Sequence, residues 1–177
     1  MRADAQRNLD RLKAAALDVF RERGLDSPLE EIAKRAGVSV GTLYNRFDSR
    51  EGLIDAVVPE LLVTNLAQVR QDADGADDAW TRAERYLHGL LEMQIANPAL
   101  SDAIARAHPG SPEVIALCDA AVDECSRLLD AARAGGPEFG RDDVGAWLLA
   151  NAALIKGGGA DAARRMLAVL LAGLRAP

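Results

Sequence analysis

Apolar residues recur three and four positions apart through most of the chain, and no stretch alternates with the period of two that marks a half-buried strand. In "NLDRLKAAALDVFRERG" the set Leu9, Leu12, Ala16, Val19 and Phe20 forms one helical stripe, and Gly24 is placed to end it. "DSPLEEIAKRA" follows. Ser27 predicts an N-cap, Pro28 a first helical residue, and Glu30 the partner that completes a capping box. Gly37 stops this second helix, because glycine takes the left-handed conformation that a tight turn needs. Ser39 caps a third helix through "VGTLYNRF". Leu29, Ile32, Ala36, Val38, Leu43 and Phe47 can all turn inward, with small Ala33 where the helices cross. A short helix, a tight turn with Gly and a second short helix define a helix-turn-helix.

A fourth helix, "REGLIDAVVPELLVTNLAQVRQD", is capped by Asp48 or Ser49, and Pro59 is expected to kink or split it. "DAWTRAERYLHGLLEMQIANP" reads as one helix stopped at Asn97-Pro98, and "ALSDAIARAHPGS" as a short one ending at Pro109-Gly110. A long helix follows, capped by Ser111 and closed by Gly135-Gly136. Two apolar helices then flank Gly157–Gly159, which has neither the Lys-Ser/Thr ending nor the preceding strand of a phosphate loop and reads as a connector. The fold class is all-α, with an N-terminal unit at 1–52 and a larger helical unit at 53–177.

Charge sharpens this picture. The 177 residues carry a net charge of −6, but residues 1–50 hold ten Lys/Arg and eight Asp/Glu, so the excess of acid lies entirely in the remainder. A locally basic corner on an acidic chain suits a specific polyanion contact. Val40, Gly41, Thr42, Tyr44, Asn45 and Arg46 crowd the outer face and first turn of the third helix, the part of this motif that enters the major groove. Arg50 stands in the first turn of the fourth helix, where the helix dipole disfavours a cation, so it is expected to reach a phosphate.

With "AALDVFRERG", "LEEIAKRAGVSVGTLYNRF" and "SREGL" in order, residues 8–55 resemble the DNA-binding domain of TetR-type transcriptional repressors. The resemblance implies a homodimer on a palindromic operator in double-stranded DNA, and a helical C-terminal domain that binds a small effector. By motif, Ser27 and Tyr44 would touch phosphates, and Val40, Gly41, Thr42 and Asn45 would lie at the bases. Ser39 caps that helix and belongs to the same surface. Arg46 and Arg50 stand where His and Lys are common in the family, which keeps a phosphate-competent donor at each. The resemblance also places a four-helix dimer seam on the last two helices, here expected through Trp147, Leu148, Leu170 and Leu174.

An effector pocket needs apolar walls and a few converging polar groups. Trp80, Tyr86, His88, Trp147 and Asn151 are the candidates, within a wider set that includes Leu87, Leu91, Met93, Ile95 and Cys118. Cys118 and Cys125, seven apart on one helix, are too distant for a disulfide and read as free thiols of a reducing, cytoplasmic compartment. No membrane span, metal site, cofactor or catalytic set is expected. One rival reading is a helical metal-dependent enzyme, whose foothold is Glu84, His88 and Glu92 on one helix face. The other is an interaction module that reuses the fold without binding DNA.

Overall fold

A computed structural model describes residues 2–105, 111–132 and 138–175. Among these are nine helices and no strand: α1 (Arg2–Arg23), α2 (Leu29–Ala36), α3 (Val40–Phe47), α4 (Arg50–Asp74), α5 (Ala79–Ala96), α6 (Pro98–Ile104), α7 (Pro112–Ala132), α8 (Arg141–Lys156) and α9 (Ala160–Arg175). The expected ends of the short and long middle helices, at Pro109-Gly110 and Gly135-Gly136, lie outside the described residues, as does His108.

Local rules account for most boundaries. Gly37 ends α2 with φ 70°, its N–H returning to the carbonyls of Ala33 and Lys34. Ser39 Oγ accepts the Thr42 N–H at 3.1 Å to start α3, and Ser49 Oγ accepts the Gly52 N–H at 3.1 Å to start α4. Asn97 ends α5 and Pro98 opens α6. Pro59 is buried inside α4, which runs through it without a break, so the expected split does not occur.

The start of α2 departs from expectation. Pro28, not Ser27, occupies the N-cap, and no side chain caps the helix. Ser27 is buried and donates its hydroxyl back to the Gly24 carbonyl at 2.7 Å, so it cannot serve Glu30 in a capping box. The cause is the turn itself: Gly24 has φ 83°, which folds residues 24–27 back on the end of α1.

α1 packs on α2, α4 and α6, while α4 and α5 carry most of the remaining packing, against each other and against α7. One hydrophobic cluster runs from Leu12 through Leu53, Val57 and Leu62 of α4 to Leu167 and Leu171 of α9. The 1–52/53–177 division therefore falls within a continuous helix and across a continuous core. By length and composition α4 could cross a bilayer, but 44% of that window is buried inside the protein.

Two sequence expectations for the last helices change. Trp147 and Leu148 are only 7% and 3% exposed and belong to the protomer's own core. Leu170 and Leu174 are half-buried against it. The apolar surface that α8 and α9 leave open consists instead of Leu149, Met166 and Val169, the last 74% exposed.

A side chain at Gly24 would meet both the left-handed φ and the Asp102 carboxylate, whereas Gly37 has a left-handed φ with open space around it. Gly37→Ala should cost only the backbone term, about 1–2 kcal/mol. Gly24→Ala should lower the melting midpoint further, and in an Asp102→Ala background, which itself loses the bond to Leu25, the same glycine change should cost less than in the wild type. Equal midpoints for the two glycine variants would remove the collision from the account.

Candidate functional site

The outer face of α3 is built from the inside. Leu43 and Phe47, one turn apart, anchor the helix to the core with Ile32 and Ala33 of α2 behind them. Opposite them Gly41, Thr42, Tyr44, Asn45 and Arg46 are exposed, Tyr44 by 47%. Val40 is half-buried and rests on the core, so only part of it faces outward. Ser39 is exposed and its hydroxyl also lies 2.9 Å from Thr42 Oγ1, fixing the Thr42 rotamer. The α1–α2 corner is braced by Arg35, whose guanidinium takes both Glu22 oxygens at 2.8 Å, and by Arg23 on Glu31 at 2.8 Å. That pairing lowers the Glu22 pKa and raises that of Arg35. Arg35 is thus occupied within the protein, while Lys34 and Arg46 are exposed.

Arg50 does not extend toward solvent. Its Nη1 donates to the Leu25 carbonyl at 2.8 Å and the Ser27 carbonyl at 2.6 Å, so its charge is used to hold the loop between α1 and α2. The same loop is gripped from the other side. Asp102 of α6 accepts the Leu25 N–H at 2.9 Å, and Lys156 at the end of α8 lies 3.6 Å from Asp102 and 3.5 Å from Asp26. The two carboxylates, Asp102 foremost, raise the Lys156 pKa. Sequence spacing could not reveal Asp102, because its partner is a backbone group 77 positions away. Ser27, with its side chain buried and its carbonyl taken by Arg50, offers no hydroxyl to a phosphate.

A cavity of about 360 Å³ lies between α4, α5, α7 and α8. Leu62, Leu66, Leu90, Met93 and Leu148 make its apolar wall, Ile104 of α6 closes one side, and Cys118, Asp119, Arg141 and Asp142 supply its polar groups. From the wider candidate set Met93 and Cys118 line it; none of Trp80, Tyr86, His88, Trp147 and Asn151 does. Trp80 is half-buried against the core, with Arg175 5.8 Å above its ring. Tyr86 is wholly buried and donates to the Ala121 carbonyl at 3.3 Å; burial pushes its hydroxyl up to about 12. His88 is exposed. Trp147 and Asn151 are buried on the face of α8 turned into the core. Burial likewise pushes the Cys125 thiol up to about 12, and neither cysteine is in a disulfide.

The proposed metal edge is otherwise engaged. Glu92 receives the Arg164 guanidinium through two bonds of 2.7 and 2.8 Å, and that hydrogen bonding lowers its pKa.

Known proteins agree with the α1–α4 geometry. The profile of bacterial regulatory proteins of the tetR family matches residues 12–57, from α1 into α4. A helix-turn-helix-type transcriptional regulator of Bacillus subtilis is 37% identical over 73 residues, 41% of this chain and 38% of that protein. The chain therefore spans well under half the length of that curated relative. Likeness over the full length comes from solved structures. A TetR transcriptional regulator from Streptomyces coelicolor is 30% identical with a TM-score of 0.53, covering 94% of this chain and 97% of that one. The regulator FadR from Bacillus subtilis, solved in complex with stearoyl-CoA, has a TM-score of 0.65 at 15% identity over 93% of this chain and 98% of its own, which speaks to the fold alone. The helix-turn-helix, the helical body behind it and these likenesses lead to one conclusion: the chain belongs to the TetR family of helix-turn-helix transcriptional regulators.

Proposed function

We propose that the protein is a repressor that binds a palindromic operator as a dimer and is released by a small effector held in the α4–α8 cavity. The exposed polar face of α3, set on a buried apolar back, carries this reading. Thr42 and Asn45 face the bases, with Gly41 letting the groove floor approach. Tyr44, Arg46 and Lys34 meet the phosphates. Arg50 acts indirectly, by setting the α1–α2 loop. Arg46→Ala should weaken binding to all duplexes and flatten the salt dependence by about one unit of slope, whereas Thr42 or Asn45 variants should change base preference. Arg50→Ala should weaken binding with the slope unchanged. Fluorescence anisotropy on a randomised duplex pool at several salt concentrations measures all three. No salt-sensitive binding by the wild type would end the DNA reading.

Two recognition helices must reach successive major grooves about 34 Å apart, which one protomer cannot do. The open apolar face at Leu149, Met166 and Val169 supplies the seam. Val169→Glu should give folded monomers by light scattering and circular dichroism, because in the protomer that side chain is 74% exposed. Leu148→Glu should unfold the chain by burying an unpaired charge. A Val169→Glu dimer would place the seam elsewhere.

The effector acts through α6 as well as α4. Ile104 lines the cavity and Asp102, two residues earlier, holds the reading head's loop. A ligand that releases DNA tenfold must bind the DNA-bound form about 1.4 kcal/mol more weakly. Cys118 reports on the cavity directly. A thiol reagent near neutral pH should label Cys118 and spare Cys125, whose thiol stays protonated and enclosed, and a bound effector should slow that labelling. Equal labelling of both cysteines in the folded chain would contradict this.

A further inference from the structure

The charge at the cavity's rim narrows what can enter it. The wall is carbon, and among the described residues the charged lining groups are Asp119, Arg141 and Asp142, with Arg141 half-exposed and Asp119 38% exposed at the opening. The Arg141 guanidinium is already committed: Nε donates to Asp123 at 2.6 Å and Nη2 lies 3.3 Å from Asp119. Asp119 and Asp123 thus share one guanidinium, and Asp142 lines the same rim, so three carboxylates stand against one cation among the described residues. The N-terminus of α8 opposes this with about half a positive charge, and Asp143 already accepts the Gly140 N–H there at 2.9 Å. The carboxylates win. An alkyl anion would have to pull Arg141 from two partners and then face Asp142, while a cation meets attraction without breaking any pair.

Resting on the effector reading above, we infer that the cavity takes an apolar molecule bearing one positive charge, its hydrocarbon among Leu62, Leu66, Leu90 and Met93 and its cation at the rim beside Asp119 and Asp142. The carboxylates select against alkyl anions of the same shape. Arg141 ties α7 to α8 through Asp119 and Asp123, and it is not the ligand's anchor.

Three probes with one tail separate charge from hydrophobicity: octyltrimethylammonium, octyl sulfate and octanol, each titrated calorimetrically into the full chain with Cys118 labelling as the locator. The cation should bind at least tenfold more tightly than the sulfate and should protect Cys118. Asp142→Asn, which breaks no ion pair seen in the structure, should cut that preference at least threefold while leaving octanol binding within twofold. Asp119→Asn/Asp142→Asn should abolish it. Sulfate binding as tight as the cation's, with Cys118 protected, overturns the ligand class and leaves the effector cavity standing. Failure of all three to protect Cys118 overturns the cavity reading itself.

Discussion

The position of the reading head depends on how four residues, Gly24 to Ser27, satisfy their backbone groups. The Gly24 N–H bonds to Phe20, its carbonyl accepts the Ser27 hydroxyl, the Leu25 N–H goes to Asp102, and the carbonyls of Leu25 and Ser27 go to Arg50. Leu25 is buried, so these groups need partners in the protein and not in water. Three of the bonds involve a charged side chain, a class that contributes about 1.5–3 kcal/mol each. They come from two different helices, α4 and α6, and they converge on one loop. Rotating α2 and α3 against the body would break several at once, which is what gives the recognition surface a defined orientation.

That arrangement also explains which parts of the chain were legible as sequence. Gly37, Ser39, Ser49 and Asn97-Pro98 obey rules that span a few residues, and the structure follows them. Ser27 obeys a rule of the same range but has two local options, an N-cap or a turn. Arg50, 23 positions on, takes the Ser27 carbonyl and belongs to the arrangement that favours the turn. Arg50 itself stands out in the sequence as a cation in the first turn of a helix. What the sequence could not show is that its partner is a pair of neutral carbonyls inside the protein and not a phosphate outside it.

The last helices and the cavity posed a different difficulty. α8 is apolar around most of its circumference, so periodicity alone does not say which sector turns inward. Trp147, Leu148, Asn151 and Ala152 do, leaving Leu149 open. Aromatic and polar residues of α5 were natural pocket candidates, yet Tyr86 finds the Ala121 carbonyl and becomes core. The cavity is bounded instead by aliphatic side chains, which carry no mark that distinguishes a cavity wall from packed interior. Its distinguishing chemistry lies in Asp119 and Arg141, brought together across 22 positions of sequence.

α4 contributes Leu53, Ile54 and Val57 near one end and Leu66 and Val69 near the other to a single uninterrupted core. The DNA-reading half is for that reason not a detachable module. Cutting the chain within α4 would expose apolar side chains on both fragments, so neither is expected to persist as a well-behaved piece. Grafting this reading head onto the body of another regulator is constrained in the same way. The exchange would have to carry α4 whole, together with a helix presenting a carboxylate where Asp102 stands, or the transplanted head would be joined by covalent chain alone and would lose its fixed orientation.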